Sequence, residues 1–506
     1  MGEIRERLDA MLRLHSLTLV DHPILGNFHL EFCHQYYLGQ GVYTSVVIGA
    51  NGIGKSYFLR VLAEIFCCLE GLKQENEITP PRYYFKLNYS SHWQSYEFAN
   101  FRDINPVSQG RRRFTNFVFI CDGKETNVHQ MSLPKRVIAS STTINDKYVA
   151  KSTDMYRYKG LRNENSPSST GTRTMVRKTV DSLLSSLDEK YGFRIELRKL
   201  LENLQLQPRL ELSYNLRYKD VFVKDGMTSS ELISIFEHQK GLFKRKSDIW
   251  GTKNFKTIKE KEPWKLDEAA SFLSRLAHRG YGSGRQLLIY ELLENDPKVG
   301  WDREGLKVLT SLDLLSYPTL KVFKSGGEYT FDQSSSGELS LLCQMVGIMS
   351  DIEPNSLVLI DEPENSAHPN WQISYIGWLK KIFMQYPNCH FVISTHSHFM
   401  LTDLEPQSSD IIALERINGI VKDVSEGVNT FNWTVDDILY RVFHVRNTRN
   451  YVLESKMLEL YRLVSNKTKE KQKVLELIEE LSNYKLNTED PLLKLLETAE
   501  EYVESI

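Results

Sequence analysis

The apolar positions of this chain fall into two rhythms. Short, nearly unbroken runs recur at Thr44-Ser45-Val46-Val47-Ile48, 116–121 (NFVFIC), 136–140 (RVIAS), 356–360 (SLVLI) and 390–394 (HFVIS). All five predict strands, and the last two, continuous runs separated by a helical stretch, predict strands buried on both faces of a largely parallel sheet. Residues 14–32 predict two short strands around a His-Pro turn, with apolar alternation in the second, and 320–332 predicts another strand pair. The helical rhythm starts at Ser56, where Phe58, Leu59, Leu62, Ile65, Phe66 and Leu69 share a stripe that stops at Gly71. It returns after Gly337, dominates about 178–310, and runs almost throughout from 434, apart from 486–491 (LNTEDP).

This order predicts an α/β fold. A head with a mixed or parallel central sheet is split into halves at 1–150 and 316–430. A helical lid insertion occupies 151–315, and a helical C-terminal region for oligomer or partner contacts occupies 431–506. The Ser-, Thr-, Asn- and Gly-rich stretch 151–174 reads as the first boundary or a mobile loop. The insertion lacks the many heptads of a long coiled coil.

Composition narrows the class. The chain has 506 residues, 41% hydrophobic and 25% charged, as expected of a globular protein with ample core. A formal net charge of -2 means that any nucleic-acid surface must be local. The six cysteines are scattered without a CxxC pair, which fits a reducing compartment. The first residues lack the apolar core of a signal peptide, and no run of about 18 apolar residues occurs. A soluble, cytoplasmic protein is expected.

Between the first buried strand and its helix lies Gly49-Ala50-Asn51-Gly52-Ile53-Gly54-Lys55-Ser56. It fits the G-x-x-x-x-G-K-[ST] phosphate loop, in which glycines let backbone N–H groups wrap a phosphate at a helix N-terminus. Lys55 is expected on the β- and γ-phosphates of ATP and Ser56 on Mg²⁺. The run Leu357–Ile360 ends in Asp361-Glu362, where a strand's C-terminal end meets ligand. Asp361 is expected to hold Mg²⁺, and Glu362 to orient or deprotonate the attacking water.

The phosphate loop near residue 50 and the acidic pair near 361 resemble ABC-type ATPases of the RecF and SMC class. Ser334-Ser335-Ser336-Gly337-Glu338, at a helix start shortly before Asp361, looks like the ABC signature. The resemblance places Ser335, Gly337 and Glu338 at the nucleotide of a second protomer. Ser336 stands where the first glycine is usual, and Ser334 replaces the common leucine. By itself SSSGE is also an ordinary helix cap with an acid in the first turn. Ser394-Thr395-His396-Ser397 resembles the switch-histidine motif and puts His396 beside the terminal phosphate. Residues 365–369 (NSAHP) occupy the dimer-contact loop. In place of the magnesium-sensing glutamine, Arg136–Lys147 offers Ser140, Ser141 and Asp146.

The stretches EPENSAHPNWQISYIGWL and ISTHSHFML, and the tail VFHVRNTRNYVLESKMLEL, resemble OLD-like ATPases and the ATPase subunit of Septu-type anti-phage systems. That resemblance implies an ATPase that dimerises, or forms a higher even-numbered oligomer, and regulates an HNH-type nuclease partner. The alternative is a RecF-like maintenance ATPase acting directly on DNA. The insertion is too short for an SMC arm and has no rationale in a transporter. No HExxH, HNH-like cluster, zinc spacing or DxD after His398 suggests a nuclease within the chain. Local basic clusters, Gly110–Arg113 and Phe243–Lys246 followed by Lys253, Lys256, Lys259, Lys261 and Lys265, are interleaved with Trp250, Phe255 and Trp264. They offer a DNA surface or a solvated lid face.

Overall fold

The computed structural model describes residues 11–32, 41–102, 114–162, 171–187, 189–238, 246–281, 287–294, 298–325, 327–425, 430, 433–442, 451–465, 470–484 and 491–505. The clusters at Gly110–Arg113 and Phe243–Arg245, residues 163–170 of the loop or boundary expected at 151–174, and Cys33 lie outside these residues.

Along the chain, β1 (Arg13–His22), β2 (Gly26–Glu31) and β3 (Tyr43–Gly49) precede α1 (Lys55–Lys73). Then come β4 (Tyr84–Ser91), β5 (Gln94–Ala99), β6 (Val118–Cys121), β7 (Lys124–Glu125), β8 (Val137–Ser141) and β9 (Tyr156–Lys159). The middle of the chain holds α2 (Thr172–Ser186), α3 (Phe193–Asn203), β10 (Leu210–Asn215), α4 (Ser229–His238), α5 (Lys246–Lys261) and α6 (Trp264–His278). It continues with β11 (Leu287–Glu291), α7 (Lys298–Ser311), β12 (Thr319–Lys324) and β13 (Gly327–Thr330). After these run α8 (Ser336–Asp351), β14 (Leu357–Asp361), α9 (Pro369–Phe383), β15 (His390–Ser394), β16 (Ser409–Ile417) and β17 (Ile420–Asp423). The tail contains α10 (Val435–Arg441), α11 (Tyr451–Ser465), α12 (Lys471–Ser482) and α13 (Pro491–Ser505).

The central sheet has the order β17-β16-β3-β15-β14-β8-β9 and is parallel except for the β16–β17 hairpin. Its inner strands are buried on both faces, as their apolar runs require: all five residues of β14 and all five of β15 are buried. A second, antiparallel sheet, β2-β1-β4-β5-β6-β7, shares one core with it, and α1 supplies Phe58, Leu62 and Phe66 to that core. Registers align the strand ends. Asp361 pairs with Ser394 and with Ser141, and Ser394 pairs with Val47. The loops after β3, β8, β14 and β15 therefore leave from one edge.

The stretch 151–315, expected to be helical, differs in two ways. Tyr156–Lys159 joins the central sheet beside β8. Strands β10 and β11 pair with each other, and β10 pairs with β12, in a sheet of order β11-β10-β12-β13. Their partners are remote in sequence (Leu212 opposite Tyr290), so local periodicity carries little trace of them.

By its contacts the chain divides into Met1–Trp433 and Thr434–Ile506. The second unit has its own core, with Leu460, Val474, Leu481, Leu492 and Ala499 buried among α11, α12 and α13. Among the described residues, no helix is long and apolar enough to cross a membrane.

Candidate nucleotide site

The loop after β3 turns back on itself with positive φ at Gly52 (77°) and Gly54 (113°), a conformation that L side chains avoid. A Cβ at Gly54 would also have to displace the end of Leu25, lying 2.5 Å from its Cδ2. Gly54 is the N-cap of α1 and no side chain caps it, so the helix presents its positive end to the loop. Lys55 is buried, and its ammonium group donates to the Gly49 carbonyl at 2.9 Å and to His396 Nε2 at 2.8 Å. Burial lowers its pKa to about 8, against the opposing pull of Glu362, Glu364 and Asp361.

Asp361 ends β14 and is 2% exposed. Burial raises its pKa to about 6, although hydroxyls of Ser394 and Ser56 both donate to it. Glu362 follows with φ 48°, a left-handed turn that carries its side chain out of the strand direction. Its N–H donates to the Ser394 carbonyl at 3.0 Å, and its carboxylate accepts from Asn365 Nδ2 at 3.1 Å. Glu362 Oε1 lies 3.6 Å from His396 Nε2. The structure thus gathers Lys55, Ser56, Asp361, Glu362 and His396 at the sheet edge. Desolvation and the Lys55 ammonium lower the His396 pKa, which keeps the ring neutral as an acceptor for Lys55.

Two neighbours were not singled out by sequence reasoning. Glu364 accepts the backbone N–H of His396 at 2.5 Å, and burial raises its pKa. Its spacing, Glu-Pro-Glu after the strand, is the one signal in the sequence that points to it. Thr142 sits just past β8 and its hydroxyl donates to the Glu362 carbonyl at 3.3 Å. Asp146, one of the three residues offered for the magnesium-sensing position, pairs with Arg162 at 2.6 Å and accepts from Tyr158 at 2.7 Å. Ser141 bonds to Thr143, and the Ser140 hydroxyl is buried without a partner.

Among the described residues, no hydrogen bond joins Ser335, Gly337 or Glu338 to residues 49–56. Ser335 is exposed and caps α8 by accepting from the Glu338 N–H at 3.3 Å, while Glu338 pairs with Lys324. Gly337 is pressed against the loop that follows the acids, since a Cβ there would lie 2.2 Å from the Ser366 carbonyl oxygen. Ser335, Ser366, Ala367, His368 and Trp371 line an open cleft of about 620 Å³. Of the aromatics proposed to interleave the basic residues, Phe255 is buried and stacks on Phe236 at 4.6 Å. Trp264 is exposed, and Lys259 and Lys265 are paired with Glu237 and Glu262.

Comparison with known proteins bears on this geometry. Residues 167–401 match a family model described as "AAA domain, putative AbiEii toxin, Type IV TA system". The match takes in the signature, the acidic pair and His396 but begins beyond the phosphate loop. Septu protein PtuA of Bacillus thuringiensis is 28% identical over 193 residues, covering 34% of this chain and 46% of PtuA. A retron Vc95 probable ATPase of Vibrio cholerae serotype O1 biovar El Tor is 28% identical over 131 residues, 24% of each chain. The chain spans under half the length of these curated relatives. Solved structures similar to the head include the SMC head domain from Thermotoga maritima, with a TM-score of 0.36, 11% identity and coverage of 82% of this chain and 100% of that one. The recombination mediator protein RecF-ATPrS gives a TM-score of 0.29 at 15% identity, with 83% and 100% covered. At these scores the likeness carries no inference about activity.

Proposed function

We propose that the chain binds Mg-ATP at the edge of the central sheet and hydrolyses it in a site completed by a second copy. The observation that supports this most is the convergence of Lys55, Ser56, Asp361, Glu362 and His396 from loops after three different strands. The fit to ATP rests on the loop itself. Positive-φ glycines and an uncapped helix end leave room for backbone N–H groups to surround a phosphate. The fit to Mg²⁺ rests on the donors, since a hydroxyl and a carboxylate already in contact are the hard oxygens this ion prefers.

In this reading Lys55 exchanges its contacts with Gly49 and His396 for phosphate oxygens. Ser56 and Asp361 hold the metal, which when bound neutralises charge on the phosphates. Glu362 accepts a proton from the attacking water while Asn365 and the Ser394 carbonyl hold it in place. His396, neutral and within reach of Glu362, orients the same water. Ser335 and the N-terminus of α8 face solvent, so their phosphate is that of a second protomer. The biological setting follows the Septu relative: turnover gates an HNH-type nuclease partner in anti-phage defence.

Glu362→Gln should keep ATP bound, lower turnover by about 100-fold or more and accumulate a nucleotide-bound dimer. Unchanged turnover would remove Glu362 from the chemistry. The partner is tested by co-purifying the chain with the products of neighbouring genes and assaying nuclease activity with and without ATP. Tight, salt-sensitive DNA binding by this chain alone, with no nuclease recovered, would reject the partner in favour of direct action on DNA.

A further inference from the structure

Between the Gly337 end of α8 and His396 runs a continuous set of contacts. Gly337 packs directly on the Ser366–Ala367 backbone, with no room for a methyl group. The Ala367 carbonyl accepts from Gln372 Nε2 at 2.8 Å. The Gln372 amide is thereby oriented, and its oxygen accepts from the Ser397 hydroxyl at 2.5 Å. Ser397 is 6% exposed and its N–H donates to Thr395 Oγ1 at 2.9 Å, so it is fixed at both ends. The residue between Thr395 and Ser397 is His396. Glu364 holds the His396 N–H, and the Ala367 N–H donates to the Glu364 carbonyl at 2.9 Å. Gln372 stands in the first turn of α9, whose N-cap is His368. Its side chain, like that of Glu364, reaches the loop after β15, and it also holds the loop below that helix through the Ala367 carbonyl.

We propose that Gln372 is a positioning residue that conveys the state of the Ser366–Ala367 surface to His396. A second copy pressing on this surface, beside the exposed Ser335, moves the Ala367 carbonyl. The amide passes the movement to Ser397, and hence to the histidine ring between Lys55 and Glu362. Hydrolysis is in this way made to wait for association. The inference rests on the two-copy reading of the site, and it adds the path by which each site senses its partner.

The test uses the full chain and three variants: Gln372→Met, which keeps the volume and removes both hydrogen bonds, Ser397→Ala, and the double variant. Each single variant should lose about 10-fold or more in kcat with KM for ATP within about 2-fold of the parent, since a reacting group is displaced while binding is spared. The double variant should be no worse than the more impaired single one, because both changes cut the same connection. Full kcat in Gln372→Met, multiplicative losses in the double variant, or a parallel rise in KM with earlier melting would each overturn the proposal. A parent chain that binds ATP without any turnover would overturn the reading of the site itself. A parent with turnover that Gln372→Met leaves intact would remove only this inference.

Discussion

At the residue scale, the chemistry of the site is held in tension by burial. Asp361 is carried into the sheet edge by an apolar strand, and desolvation raises its pKa from the ordinary value of 3.8 to about 6. A carboxyl raised in the folded state favours folding while protonated, and that contribution is lost as pH rises through about 6. Asp361→Asn is therefore expected to stabilise the nucleotide-free protein at pH 8, by on the order of 3 kcal/mol, with the gain roughly halved at pH 5. The same change should abolish Mg-dependent ATP binding. Melting curves at the two pH values, with and without Mg-ATP, check both halves; a variant less stable than the parent at pH 8 would count against desolvation as the cause. The residues with local signatures were legible in the sequence. The glycines and Lys55 of the phosphate loop, and the acids ending an apolar run, need only their immediate neighbours to be recognised. Gln372 was not legible, and Glu364 only through its Glu-Pro-Glu spacing, because their partners, Ser397 and His396, are 25 and 32 residues away.

At the element scale, α8 ties several parts of the head together. Its N-terminal turn carries the signature residues and rests on the Ser366–Ala367 loop. Its C-terminal end is capped from the middle segment: Lys190 donates to the Met349 carbonyl at 2.7 Å and also to the Ile352 carbonyl. Gly337→Ala must displace backbone rather than a flexible side chain. The variant is expected to lose about 1–3 kcal/mol of stability, as overpacked sites do, and to lose kcat more than ATP affinity. Thermal melting and steady-state kinetics decide it, and a variant with parental stability and turnover would mean that the contact at Ser366 relaxes freely. The strands β3, β14 and β15 were readable because a strand buried on both faces leaves an unbroken apolar run. The strands β10 and β11 were not. Their stretch is dominated by helical spacing, and β11 shows one exposed face, with Leu287 and Ile289 outward.

At the scale of the whole molecule, the two-copy reading rests on two groups of residues that share no hydrogen bond among the described residues. The sheet edge gathers Lys55, Asp361, Glu362 and His396, while Ser335 stands exposed beside the cleft of Ser366 and His368. Turnover per chain is accordingly expected to rise with protein concentration until dimers dominate, and then to level off. Specific activity over roughly a 100-fold dilution series, alongside light scattering, checks this. Constant activity from a species that remains monomeric would argue for a site complete within one chain.

The sequence by itself determined the fold class and the placing of the glycine-rich loop and the acidic pair at strand ends, because each depends on residues adjacent in the chain or on one element's periodicity. Tertiary structure alone decided that Asp146 serves Arg162 and Tyr158, that Thr142 faces Glu362, and that Gln372 bridges two loops. Those outcomes hang on strand register and helix packing, which set distances between residues that the linear pattern leaves unrelated.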